Sequence, residues 1–187
     1  MTGSAINITI LSSVFVQIIV NTMDDKTTWD DQEKASNALL CLFGFGVGEI
    51  VGSLILGKVT DKVSPRTSIV INMIALTAGY GFLVLYGAIY EFSFTLGVLM
   101  TFFWGFQDSG MECLLNSILG FQFESKTTPF SIYRFVKSLQ IFVFTCIQSV
   151  LDTQGAYLSY FVCCYAFNVA AWLLVIAKFK FNNKLGE

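Results

Sequence analysis

Three carboxylates, Glu49, Asp108 and Glu112, stand inside long apolar stretches of this chain. An ionised side chain facing lipid at the bilayer centre costs roughly 2.5–3.5 kcal/mol. Each must therefore face protein or water, or carry a proton. At about 100° per residue, Asp108, Ser109, Glu112 and Asn116 share one arc of a helix. On the following helix Arg134, Lys137, Ser138, Thr145 and Gln148 share another. An acidic stripe thus precedes a basic one. Such a pair serves either as a proton or cation pathway or as a buried polar seam whose members satisfy one another. Glu112 lies eight residues before Gly120, and Lys137 eight residues after Pro129, so both sit about 12 Å inside their helices. If the two helices pack antiparallel, Glu112 meets Lys137 or Arg134. Arg134 and Asn116 then pair nearer the surface, and Asp108, deeper, bonds polar side chains or backbone.

Other chemistry is scarce. The chain has no histidine, which removes the usual metal ligand and general base. No nucleophile–base pair, phosphate-binding glycine loop or metal-ligand spacing occurs. The sequence predicts no catalysis, no metal and no cofactor, and leaves room for bound lipid. Cys41, Cys113, Cys146, Cys163 and Cys164 all lie in apolar runs and read as reduced packing residues. Asn7-Ile8-Thr9 has the form of a glycosylation triplet, but it lies at the membrane entry of the first apolar run and is discounted. The net charge of −2 gives no reason to expect nucleic acid.

The elements that must hold these residues are spans. Of the 187 residues, 55% are hydrophobic and 13% charged, against about 25% charged in a soluble domain. A water-soluble core of this length could not hide so much apolar surface, so lipid is the expected solvent. A spanning helix needs about 20 apolar residues. Six stretches approach this, giving an all-α bundle in one domain, 1–187, with helices at about 5–21, 37–58, 67–90, 92–120, 129–151 and 155–178. The first is the shortest and weakest. Thr22 to Lys34 reads as an acidic loop and Lys58 to Arg66 as a basic one. Thr128 is placed to cap Pro129. The first run lacks the flanks of a signal peptide.

Charge sets the orientation. With six spans, both termini and the second and fourth loops share one side. Lys58, Lys62, Arg66, Lys126, Arg134, Lys137, Lys178, Lys180 and Lys184 fall there, nine of the 11 basic residues, and Lys26 and Lys34 fall opposite. This asymmetry puts both termini on the cytoplasmic side, or on the matrix side of a mitochondrion. The tail Lys178-Phe179-Lys180-Phe181 reads as an interfacial anchor.

Gly44, Gly48 and Gly52 recur at four-residue spacing, a face that lets another helix approach closely. Gly57-Lys58-Val59-Thr60-Asp61-Lys62, with Arg66 beyond, resembles the loop signature of the major facilitator superfamily. Phe103-Trp104-Gly105-Phe106-Gln107-Asp108-Ser109 resembles a segment of that superfamily's Unc-ninety-three-like (uncoordinated) branch. Gly46 to Gly52 is similar to the corresponding helix of that branch's second half, and Pro129 to Leu139 to its next helix. The resemblance covers about residues 41 to 150. It implies the second half of a major-facilitator-type fold.

Members of this branch are best known as ion-channel regulators or trafficking partners of other membrane proteins. The resemblance therefore implies partner binding. Transporters of this type join two six-helix halves around a midplane site, and one half alone cannot complete alternating access. The leading expectation is a non-catalytic structural or accessory subunit of a larger membrane complex, with a mitochondrial respiratory complex of the inner membrane as the suggested setting. A channel regulator or trafficking partner, and one half of a dimeric transporter, are the alternatives. Other membrane subunits and lipid are the expected partners, and an isolated monomer is the least favoured state.

Overall fold

The computed structural model describes residues 2–10, 15–24, 29–62, 64–89, 91–122, 127–151 and 153–178. Seven helical segments run in the order α1 (Thr2–Thr9), α2 (Val16–Asp24), α3 (Asp31–Lys62), α4 (Pro65–Ile89), α5 (Phe94–Gln122), α6 (Thr127–Gln148) and α7 (Gln154–Lys178). Among the described residues there is no strand. The first expected span corresponds to α1 and α2, and the other five to α3 through α7.

Among the described residues, four helices are long and apolar enough to cross a membrane: Asp31–Thr60, Arg66–Ile89, Thr127–Gln148 and Gln154–Ala177. This all-helical, strongly apolar architecture is compatible with a multi-pass membrane protein. Two of the six expected spans are not among these four. The first stretch is described only as two segments of 8 and 9 residues. The 29-residue α5 is long enough, but Gln107, Asp108, Glu112 and Asn116 lower its hydropathy.

Helix ends follow local chemistry. The Asp30 carboxylate accepts the Glu33 N–H at 2.7 Å, and Asp31 and Glu33 occupy the first turn of α3. Such acids stabilise a helix amino terminus, so α3 starts inside the stretch expected to be an acidic loop. At its other end α3 continues through Lys62. The expected basic loop from Lys58 to Arg66 is thus mostly helix. The described helix ends at Lys62, shortly before Ser64-Pro65, where the residue before a proline is pushed out of the α region. Ser64 accepts the Thr67 N–H at 3.1 Å, and Pro65 opens α4. The corner is tied by Thr60, whose hydroxyl lies 2.7 Å from that of Ser68.

The centre belongs to α5, which packs against α3 on one side and α4 on another. Gly44, Gly48 and Gly52 form the α3 side of this contact. A Cβ on Gly44 would lie 2.7 Å from the Val98 carbonyl oxygen, one on Gly48 2.9 Å from the Phe106 nitrogen, and one on Gly52 2.6 Å from the Phe106 carbonyl oxygen. Gly105 returns the arrangement from α5, where a Cβ would lie 2.9 Å from the Phe45 carbonyl carbon. Backbones this close exclude any side chain, which is the packing that small residues permit between helices in lipid.

The shortest expected span is strongly enclosed. Ile6, Ile10, Phe15, Ile18, Ile19 and Met23 are all buried. Segment α1 packs against α5, α6 and α7, and α2 against α3. Segment length and mean hydropathy did not reveal this, because enclosure depends on the neighbours. Trp104 of α5 fixes the position: its ring packs edge-on to Phe15 at 5.1 Å and against Tyr80 of α4 at 4.8 Å.

Candidate functional site: a polar interior between α1, α5 and α6

The residues that could do chemistry converge where α1 crosses α5. The Asn7 amide donates to the Gln107 side-chain oxygen at 2.7 Å and to an Asp108 carboxylate oxygen at 3.4 Å. Its backbone carbonyl accepts the Trp104 indole N–H at 3.1 Å. Asn7 and Gln107 are each 1% exposed, and Asp108 7%. Asn7 thus anchors α1 on α5 by side chain and backbone at once. Sequence reasoning missed it. The triplet drew attention to its amide as a glycosylation acceptor, whereas the informative signal was a lone amide inside an apolar run.

One turn along α5, Glu112 accepts from the Lys137 ammonium and from the Tyr133 hydroxyl, the latter at 2.8 Å. The structure therefore forms the Glu112–Lys137 pair, but not by the route expected. The short loop between α5 and α6 predicts that the two helices lie side by side. Instead α6 packs on α1, and the long side chains of Lys137 and Tyr133 reach to α5. The expected Arg134–Asn116 pairing is corrected: both side chains are exposed. The stripe on α6 divides accordingly. Lys137 is half-buried and Gln148 buried, whereas Arg134, Ser138 and Thr145 face outward.

Glu49 lies half-buried on α3, its backbone nitrogen against Gly105. The charged groups that act on Asp108 are Glu112, Lys137 and Glu49. Asp108 thus has two other carboxylates and one ammonium as its charged neighbours. Ser109 turns away from this cluster toward Gly52 and donates to the Phe106 carbonyl at 3.0 Å.

The loop-motif residues do not join the site. Gly57 and Lys62 lie in the last turns of α3 and Arg66 in the first turn of α4, with both basic side chains exposed. The side chain of Asp61 falls outside the described residues, as do Lys26, Lys126, Phe179, Lys180, Phe181 and Lys184. None of the five cysteines is in a disulfide. Cys41 and Cys164 pack in the core, but Cys146 and Cys163 are exposed, which corrects their reading as packing residues. Among the described residues no group of three or more Cys, Asp or Glu could hold a metal ion. Comparison with protein-family models, curated proteins and solved structures finds no match.

Proposed function

We propose that this chain is a non-catalytic, multi-pass membrane protein that serves as a structural or accessory subunit of a larger membrane assembly. The observation that carries this reading is the outer face of α6. Ser131, Arg134, Ser138 and Thr145 are all exposed and fall within about one sixth of a turn at 100° per residue. The stripe runs roughly 21 Å along the helix at 1.5 Å per residue, most of the ~30 Å hydrocarbon thickness. Lipid cannot hydrogen-bond a guanidinium or a row of hydroxyls. A neighbouring helix with polar groups at matching depths can.

Two further points support the reading. The buried charge is engaged within the chain, Glu112 by Lys137 and Asp108 by Asn7. The segments Trp104 to Asp108 and Pro129 to Leu139 resemble an Unc-ninety-three-like half bundle, whose relatives act through protein partners. In this reading α1–α2 and α5 also span, giving six crossings. The termini lie on the basic side, and the inner mitochondrial membrane is the first compartment to examine.

Cross-linking from α6 in native membranes tests the proposal. A cysteine at Ser138, with the five native cysteines replaced by alanine, carries a short photo-activated linker. A discrete adduct with a different membrane protein is expected. An adduct containing only copies of this chain favours a dimeric transporter instead. Labelling of lipid alone overturns the accessory-subunit reading.

A further inference from the structure

The outer face of α6 carries a charge that the chain does not balance. Arg134 is exposed, and among the described residues nothing bonds its guanidinium. Glu112, the carboxylate that α6 does reach, is held by Lys137 and Tyr133. Ser131 donates back to the Thr127 carbonyl of its own helix at 3.0 Å. Ser138 and Thr145 are exposed and make no such bond among the described residues. Arg134 alone could snorkel to a lipid phosphate. Ser138 and Thr145 lie about 6 and 16 Å further along the helix, where hydrocarbon offers a hydroxyl no partner. The spacing is also informative. Ser131, Ser138 and Thr145 are seven residues apart, and Arg134 stands three after Ser131 and four before Ser138. Alternating steps of three and four form the seam of a left-handed helix pair, the commoner crossing in membrane bundles.

We propose that α6 receives one transmembrane helix of a different protein along the seam of Ser131, Arg134, Ser138 and Thr145, and that this helix carries an aspartate or glutamate opposite Arg134. The inference rests on the accessory-subunit reading and names the chemistry of the partner. The seam sets the geometry, a shallow crossing of about 20°. Charge sets the partner, because a carboxylate accepts two parallel N–H bonds from a guanidinium. A second copy of this chain does not supply one. Among the described residues, the carboxylates inside long helices are Glu49, Asp108 and Glu112, and none of them is exposed. The exposed acids Asp30, Asp31, Glu33 and Glu91 stand at or outside helix ends, whereas Arg134 lies about 10 Å along α6. Two copies joined through this seam in the same orientation would set Arg134 against Arg134, and like charges repel most strongly where water is excluded.

The full-length protein in native membranes provides the test, with the photo-activated linker on Ser138→Cys. The cross-linked partner peptide is sequenced by mass spectrometry. It is expected to come from an apolar span with an aspartate or glutamate within about one helical turn of the level of Arg134. Like charges juxtaposed at an interface suppress binding, so Arg134→Glu should lower the yield of this adduct roughly tenfold or more. Arg134→Lys should keep most of it. Replacing the partner's acid by arginine should restore the adduct of Arg134→Glu. An unchanged elution volume and melting temperature of the purified variant show that it folds, and Arg134→Gln takes its place if the reversed charge prevents insertion. A partner span without an acid overturns the inference. So does an adduct whose yield ignores Arg134, the result expected if the guanidinium serves lipid phosphate. Both of these outcomes leave the accessory-subunit reading standing, whereas labelling of lipid alone, or of this chain alone, removes that reading and the inference with it.

Discussion

Lys137 on α6 is 17% exposed and its partner Glu112 on α5 30%, and the two meet although their helices do not pack closely along their length. The contact is made by side-chain reach between the two helices. A long flexible cation and a carboxylate bridge a gap that backbone packing leaves open, and Tyr133 fills the space beside them, its hydroxyl on Glu112 and its ring 5.7 Å from the Lys137 ammonium.

This arrangement makes loss of one partner worse than loss of both. Glu112→Ala strands a cation in a partly buried place, a change of about 3–5 kcal/mol for a fully buried pair and somewhat less at this exposure. Glu112→Ala combined with Lys137→Ala leaves no lone charge. Thermal melting in detergent should rank wild type first, the double variant second and Glu112→Ala last. A double variant less stable than Glu112→Ala would contradict the paired arrangement.

The α3–α5 contact should be intolerant of bulk. A leucine at Gly48 meets the Phe102 carbonyl and the Phe106 backbone, neither of which can move aside as a side chain would. Gly48→Leu is expected to abolish the monodisperse peak in size-exclusion chromatography. Cys163→Ala, at an exposed position, should leave the profile unchanged. Gly81→Ala is a second control, since a Cβ there meets nothing within 4 Å.

Topology follows from the length of α3. Its 32 residues extend about 48 Å, well beyond the ~30 Å hydrocarbon core. Asp30 and Arg66, just outside its two ends and both exposed, should lie on opposite sides of the membrane. In a cysteine-free background, Asp30→Cys and Arg66→Cys should react with an impermeant maleimide from opposite faces of sealed vesicles. Labelling of both from the same face rules out α3 as a span.

Trp104 offers a check on the position of α1. Trp104→Phe keeps the aromatic contacts with Phe15 and Tyr80 but removes the bond to the Asn7 carbonyl. The expected cost is about 0.5–1.5 kcal/mol, read as a lower melting temperature and faster proteolysis within α1. Unchanged values for both would mean that α1 is held by packing alone.

Much of this architecture could be read from composition and spacing. Long apolar runs marked α3, α4, α6 and α7, the glycine triplet marked the face of α3 that meets α5, and equal depth pointed to Glu112 and Lys137 as partners, though not to the side-chain reach that joins them. The rest depended on context. A run such as Ala5 to Val20 has the same hydropathy whether lipid or protein surrounds it, so its enclosure could not be seen. Asn7 was obscured for the same reason, since an amide shows its role only through partners a hundred positions away. The segment Lys58 to Arg66 looked like a loop because charge usually marks the membrane boundary, yet charge does not end a helix; the Ser64-Pro65 pair does.

The Asn7–Gln107 bond joins residues separated by 100 positions, and this has a consequence for biogenesis. At roughly 5–20 residues per second of synthesis, Gln107 emerges about 5–20 s after Asn7. Until then the earliest segment has neither its amide partner nor the Trp104 indole. The nascent chain must hold α1 at the insertion machinery or the lipid interface, and let it settle only once α5 has arrived. Assembly of this bundle therefore closes from the last helices back onto the first, and a pause or truncation before residue 107 would leave a polar segment exposed to quality control.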